Sequence, residues 1–345
     1  MIRGKMKKLP EVNMSFNKLY RMLAGLIKSK LISTGIELKI FNQLSEPKSA
    51  EAVARTIGTH PGNTKLFLDA LAAIDLVMKK NSLYLNAPIT QAFLVEGSPT
   101  FLGPMLTLTC QMGYVAMENL PGLVRKGPHQ LSPEADMDTE ETWAQFGAAM
   151  ANYQRAGLAQ QAVQIVSELP EFPLFKKMLD LGGGPGVVGI AIVAAHPSMK
   201  GVIFDKPALV KVAENFIREY EMEDRIEVLG GDYNHEPIGD GYDLIWASAA
   251  LYSARNNIDS LMKKIYDVLN PGGVFVAFHE GLTNERTKPD IHVLFSFSMA
   301  LMGQDACFDQ GFIADSMLSV GFKSVRSRTL DTSIGPMDLD IGRKA

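Results

Sequence analysis

The chain has 345 residues, 46% hydrophobic and 21% charged, with a formal charge of -4 and two cysteines. That length suits two domains and that apolar share builds a sizeable core, while the acidic balance argues against nucleic acid or an anionic membrane as partner. Cys110 and Cys307 are too few for a disulfide framework, no apolar run approaches the ~20 residues of a membrane helix, and Met1–Pro10 lacks the apolar core of a secretory signal, so a soluble cytoplasmic protein is expected.

Residues 16–45 read as helix on the apolar positions Leu19, Met22, Leu23, Leu26, Ile27 and Leu31. Ser49–Gly58 follows as a short helix closed by glycine. A turn over Thr59–Thr64, a helix over Lys65–Leu76 and a small hairpin over Met78–Asn86 come next. Helix, turn, helix, hairpin is the order of a winged helix, assigned to residues 1–100. A DNA-reading helix offers basic or amide side chains to phosphates and base edges. Here Lys65–Leu76 offers one lysine against two aspartates. A packing and dimerisation module is therefore expected, with no nucleic-acid partner.

Residues 101–170 read as helical and rich in methionine (Met105, Met112, Met117, Met137 and Met150). Trp143, Phe146, Met150 and Tyr153 form one stripe, which suits plain core or, given methionine's adaptability, a pocket wall. This region is expected to link the domains and bind substrate, with Gly127–Thr139 as an exposed loop.

From Phe175 the pattern alternates. Strands are expected at Lys177–Leu181, Gly201–Asp205, Ile226–Gly230, Tyr242–Ala247 and Val274–Phe278. Helices such as Pro207–Tyr220 and Ile258–Leu269 lie between them. Two last strands, around Lys323–Thr329 and Met337–Gly342, are joined by a Gly-Pro turn. The expected fold for residues 171–345 is thus α/β, Rossmann-like, a mostly parallel sheet ending in an antiparallel hairpin.

The segment Met178–Gly189 is a strand, an acidic residue, a glycine-dense turn and an apolar helix, the order with which a doubly wound sheet grips an adenosine-bearing cofactor. Gly184-x-Gly186-x-x-Gly189 matches the dinucleotide fingerprint. Asp180-x-Gly182-x-Gly184-x-Gly186 matches the first motif of S-adenosylmethionine (SAM) methyltransferases. An anion beside a pyrophosphate would cost roughly 4 kcal/mol at 4 Å and intermediate dielectric, which favours the cofactor without phosphates. Asp205, at the end of the second strand, can accept both ribose hydroxyls of either cofactor. Gly231-Asp232-Tyr233 ends the third strand, where a carboxylate can meet an adenine amino group and an aromatic ring can pack on the base.

These motifs follow in order at successive strand ends and are completed by Pro271-Gly272-Gly273. Together they make the chain resemble the SAM-dependent small-molecule O-methyltransferases that include the plant phenolic and acetylserotonin enzymes. The resemblance covers nearly the whole chain. It implies a class I methyltransferase domain, an N-terminal dimerisation domain, a homodimer, and a hydrophobic, ring-bearing small-molecule acceptor. It also implies a cofactor site of Asp180, Gly182, Gly184, Gly186, Asp205, Gly231, Asp232, Tyr233 and Ala247.

Many members of that family carry a His-Asp pair after the fourth strand, with the histidine as base. Here Ala249-Ala-Leu-Tyr-Ser-Ala254 stands there instead, so the pair is missing and the acceptor atom stays open among oxygen, carbon and sulfur. The Leu-Tyr-Ser-Ala segment resembles the branch of the bacteriochlorophyll C-20 methyltransferase. That likeness implies Tyr252 and His292 as the residues facing the acceptor, with Phe295, Ser296 and Met299 on the histidine's helical face. His279 and Glu280 form a second pair near the same rim. No compact metal-ligand spacing is present. A nicotinamide-dependent oxidoreductase and a ligand-sensing winged-helix regulator are the alternatives.

Overall fold

The computed structural model describes residues 9–118, 120–127, 140–301 and 303–345, and divides into two compact units, Met1–Glu96 and Gly97–Ala345. Beyond Gly127 the loop expected at 127–139 lies outside the described residues, as does Met137.

In the first unit α1 (Asn17–Glu37) stops short of its apolar pattern. Lys39 takes a left-handed backbone, φ 52, which starts the short α2 (Ile40–Gln43) and turns Ile40 and Phe41 into the core, each 1% exposed. β1 (Lys48–Ser49) leads into α3 (Ala50–Ile57), where the Ser49 hydroxyl accepts from Ala52 N–H at 3.2 Å and Gly58 closes the helix at φ 70. α4 (Pro61–Ala73) begins four residues before Lys65, so part of the expected turn is its first turn. His60 Nδ1 accepts from Asn63 N–H at 3.2 Å, and Pro61 sits where a missing N–H costs nothing. β2 (Val77–Lys80) and β3 (Leu83–Asn86) form the hairpin, with Asn81 and Ser82 at φ 50 and 62, and β1 adds to β3. α5 (Pro88–Phe93) follows.

The second unit opens with α6 (Gly103–Glu118), α7 (Leu120–Lys126) and α8 (Glu140–Tyr153). A kinked segment, Gln154–Leu158, with Gly157 at φ 138, joins α8 to α9 (Ala159–Ser167). Alternation follows: β4 (Lys177–Leu181), α10 (Val187–Ala194), β5 (Lys200–Asp205), α11 (Pro207–Glu219), β6 (Ile226–Gly230), β7 (Tyr242–Ser248), α12 (Ile258–Val268) and β8 (Leu269–His279). β9 (Gly281–Leu282), α13 (Asp290–Leu301), β10 (Phe308–Asp309) and α14 (Phe312–Ser319) lead to the hairpin of β11 (Arg326–Thr332) and β12 (Gly335–Arg343). The hairpin turn is Ser333–Ile334. Gly335 and Pro336, expected to make it, already belong to β12, where Gly335 pairs with Thr332. β8 starts five residues before Val274 and takes in the Asn270–Gly273 segment.

The sheet runs β11-β12-β8-β7-β4-β5-β6, parallel from β8 to β6, with β12 antiparallel to both its neighbours. β4 lies in the middle. The chain adds β5 and β6 on one side and then returns to add β7 and β8 on the other. Connections from β4 and β7 therefore diverge, leaving a crevice at their C-terminal ends. Apolar layers cover both faces. Met178, Ile190, Ile203, Trp246 and Phe278 fill one, and Leu179, Phe204, Ile245, Leu261 and Met317 fill the other. A parallel sheet buried on both faces explains why these strands read as apolar runs and not as alternation.

Candidate active site

The crevice is lined on one side by the turn after β4. Gly182, Gly184 and Gly186 all take positive φ, 70, 59 and 77, so the chain can curl tightly back into α10. A Cβ on Gly182 would lie 2.4 Å from Ala250 Cβ, because the segment leaving β7 passes directly over the turn. A Cβ on Gly184 would meet nothing within 4 Å, so that glycine presents bare backbone to open space. Asp205, at the end of β5, reaches across: its Oδ2 accepts from Gly184 N–H and its Oδ1 from Lys206 N–H, both at 2.7 Å. Burial pushes this carboxyl above its ordinary range, and the two amide hydrogen bonds pull it back.

Asp180 stands behind the turn rather than in the crevice. It is 2% exposed, accepts from Gly189 N–H at 2.9 Å, and lies where a Cβ on Gly183 or Gly189 would fall, at 2.6 and 2.7 Å. Burial, despite that hydrogen bond and with the Asp205 charge adding, pushes it up to about 7. Half-neutral at neutral pH, it is a weaker argument against a pyrophosphate than a fixed anion would be.

Gly231 donates to Asp205 O at 3.0 Å and so ties the β6 end to the β5 end. Asp232 is exposed and accepts from the His235 ring at 2.7 Å and from Asn234 N–H at 2.9 Å; its carboxyl is held low, chiefly by His235. The Tyr233 hydroxyl bonds Ala250 O and Ser253 Oγ, straps the segment after β7 across the crevice, and is pushed up to about 12 by burial. Ala247 is 1% exposed and packs in the layer on the α12 side.

The proposed acceptor residues sit on different elements and in different surroundings. Tyr252 lies in a 3-10 turn, Leu251–Asn257, partly exposed, its phenol pushed up first by burial and then by the charges of Asp205 and Glu280. His292 is 4% exposed, and its Nε2–H donates to Pro336 O at 2.5 Å, fastening α13 to β12. On the same helix Phe295 is 65% exposed, so the expected face splits between interior and surface. His279 and Glu280 also part company. His279 turns to the α12 side, 3.0 Å from Asp340 Oδ2 and edge-on to Phe308, while Glu280 stays half-buried beyond the strand end.

One residue escaped the sequence reading. Gln154 is buried just before the kink between α8 and α9; its Oε1 accepts from Val188 N–H and its Nε2 donates to Gly183 O, both at 3.3 Å. It thereby holds the glycine turn from the helical side. The available signal was a glutamine on the stripe Trp143, Phe146, Met150 and Tyr153, whose long apolar face hid it.

A family model for the O-methyltransferase domain matches residues 129–309, and one for the O-methyltransferase dimerisation domain matches residues 20–96. The chain belongs to the O-methyltransferase family. It is a SAM-dependent methyltransferase of small molecules. Acetylserotonin O-methyltransferase of Bos taurus is 25% identical over 338 residues, 93% of this chain and 95% of its own. The N,N-dimethyltransferase OxyT of Streptomyces rimosus is 26% identical over 257 residues, 73% of this chain and 74% of its own. The crystal structure of human N-acetylserotonin methyltransferase with SAM superposes with a TM-score of 0.81 at 22% identity, over 98% of this chain and all of that one (100%). The fold is that of class I SAM methyltransferases, and neither alternative function finds support in these relatives.

The residues of the crevice fit the methyltransferase cofactor. Each Asp205 oxygen spends one lone pair on an amide and keeps another for a ribose hydroxyl. The bare backbone at Gly184 leaves room for a ligand where any side chain would intrude. No described helix is long and apolar enough to cross a membrane.

Proposed function

We propose that this methyltransferase acts in the cytoplasm, as a homodimer, on a hydrophobic, ring-bearing small molecule, without a histidine base. The observation that carries the cofactor assignment is the Asp205 carboxylate seated 2.7 Å from Gly184 N–H at the ends of the adjacent strands β4 and β5. Gly182, Gly184, Gly186, Gly231 and Tyr233 shape that crevice, with Asp180 supporting the turn from behind and Asp232 at the open rim. Residues 171–345 form the SAM-binding part and residues 101–170 a substrate-binding part. Residues 1–100 form a winged-helix dimerisation part with no nucleic-acid partner. Asp69 of α4 supports that last point, since it holds Lys65 at 2.9 Å and Lys79 at 2.5 Å and so competes with any phosphate for them.

The cofactor, when bound, supplies a methyl group already activated on a sulfonium. The protein's share is to align the acceptor and keep water out, which is where several kcal/mol of such a barrier is recovered. Tyr252 keeps its proton at neutral pH, because burial and two nearby carboxylates oppose its ionisation, so its hydroxyl donates a hydrogen bond to the acceptor. His292, with Nε2–H committed to Pro336 O, acts as a positioning residue that sets α13 against the sheet. The names of the relatives, acetylserotonin O-methyltransferase and an N,N-dimethyltransferase, support a ring-bearing acceptor and add nitrogen to the open acceptor atoms.

Calorimetry with SAM, S-adenosylhomocysteine and NADH on the wild type and on Asp205→Ala tests the reading. Binding of the first two alone, weakened about tenfold or more by the substitution, is expected. Binding of NADH, or SAM binding indifferent to Asp205, would overturn it.

A further inference from the structure

β8 carries its side chains alternately into the two apolar layers: Val274, Val276 and Phe278 to one, Phe275 and Ala277 to the other. His279 follows the second set and is consumed by its contact with Asp340. Glu280 comes next, half-buried at the C-terminal edge where ligands of such sheets bind. Two backbone contacts bring other elements up to it. Ala249 N–H donates to Phe278 O at 2.8 Å, which seats the Tyr252 turn against the end of β8. Phe308 N–H donates to Glu280 O at 3.3 Å, and β9 pairs with β10, which seats Cys307 beside it.

Three groups, Cys307 buried, Tyr153 half-buried and Tyr252 partly exposed, register the result. The phenols of Tyr153 and Tyr252 and the thiol of Cys307 are all pushed up, by burial first, and the negative charge of Glu280 adds to each. Tyr153 ends α8, Tyr252 follows β7, and Cys307 precedes β10, so three separate elements converge on one carboxylate. Other charges in reach are accounted for. Asp205 is engaged by two backbone amides. Arg286 is bound to Asp305 at 2.5 Å and to Asp309. Arg255 lies 3.5 Å from Asp305. Among the described residues no cation pairs with Glu280.

An unpaired carboxylate near protonated phenols makes this edge of the sheet electrically negative and short of hydrogen-bond donors with charge to offer. We infer that Glu280 is the acceptor-recognition residue of this enzyme. Its carboxylate takes a hydrogen bond from an O–H or N–H on the acceptor, and the site admits neutral or cationic ring-bearing acceptors while rejecting carboxylates. This rests on the methyltransferase reading above and adds the charge class of its substrate.

The test uses the full-length chain saturated with S-adenosylhomocysteine, and three probes that share one ring system: 2-naphthol, 2-naphthylamine and 2-naphthoate. Fluorescence titration of the wild type is expected to show the first two binding at least about tenfold more tightly than the carboxylate. Glu280→Gln is expected to abolish that preference and Glu280→Asp to keep it. In parallel, alkaline absorbance titration follows the tyrosines, the Tyr252 step being assigned by its loss in Tyr252→Phe. That step falls to lower pH in Glu280→Gln and stays in place in Glu280→Asp. Equal binding of naphthol and naphthoate by the wild type, an unchanged preference in Glu280→Gln, or an unmoved Tyr252 step would each sink the inference. So would failure of all three probes to bind a protein that still binds S-adenosylhomocysteine. Failure of the wild type to bind S-adenosylhomocysteine would count instead against the methyltransferase reading.

Discussion

Asp180 shows how far a motif residue's role depends on its surroundings. Its carboxyl is pushed up to about 7 from 3.8, chiefly by burial, so the native state retains a proton that the unfolded chain has already released. Stability from this group is fully present below pH 4 and is lost as pH rises towards 7. In Asp180→Asn the Oδ1 still accepts from Gly189 N–H, while the titration is gone. Relative to the wild type, the variant is therefore expected to gain stability between pH 5 and pH 8, by at most about 3 kcal/mol. Urea denaturation of both proteins at the two pH values measures this. A difference that stays constant with pH would show that Asp180 is ionised throughout.

At the scale of an element, α8 and α9 meet at a kink where Ala156 and Gly157 leave helical geometry, Gly157 at φ 138. Gln154, one turn beyond Met150 on the apolar stripe, is buried just before it. Its amide then joins the carbonyl of Gly183, which also accepts from Gly186 N–H at 3.0 Å, to the N–H of Val188, a first-turn donor with no helical partner. Gln154→Leu keeps the volume and removes both bonds. It is expected to cost about 1–3 kcal/mol, because the buried Val188 N–H loses its partner while Gly183 O keeps only its bond from Gly186 N–H. SAM affinity should fall with it, since the turn is freed on its helical side. Denaturation and calorimetry on the same variant read both; a loss of stability with unchanged SAM affinity would confine Gln154 to packing.

At the scale of the whole molecule, α1 carries Leu19, Tyr20, Leu23, Leu26 and Ile27 with 62–70% of their surface exposed. A single helix with that much apolar surface in water is the mark of an interface, and the dimerisation family model spans it from residue 20. Leu23→Glu is expected to convert a dimer into a monomer by light scattering, with helical content unchanged. A dimer that persists would move the interface elsewhere.

The sequence by itself determined where the strands of the cofactor domain lie along the chain, the glycine turn and the carboxylate at the end of β5, while their order in the sheet came from the tertiary structure. These are local facts: apolar runs of strand length, residues needed at positive φ, and an acid at a strand end keep their meaning wherever the chain goes. It also placed α3, whose serine cap and terminal glycine are both written in adjacent residues. It could not determine which way a side chain finally points. Asp180 went behind the turn, Ala247 into the α12-side layer and His292 onto Pro336, because each orientation is set by elements distant in the chain. Boundaries shifted for the same reason: Lys39 breaks a helix that its apolar pattern would continue, so that Ile40 and Phe41 reach the core. Glu280 was legible as a rim residue and Gln154 was not, but the neighbours of both, Tyr153 and Tyr252 for one and Gly183 and Val188 for the other, are brought to them by the sheet and not by the sequence.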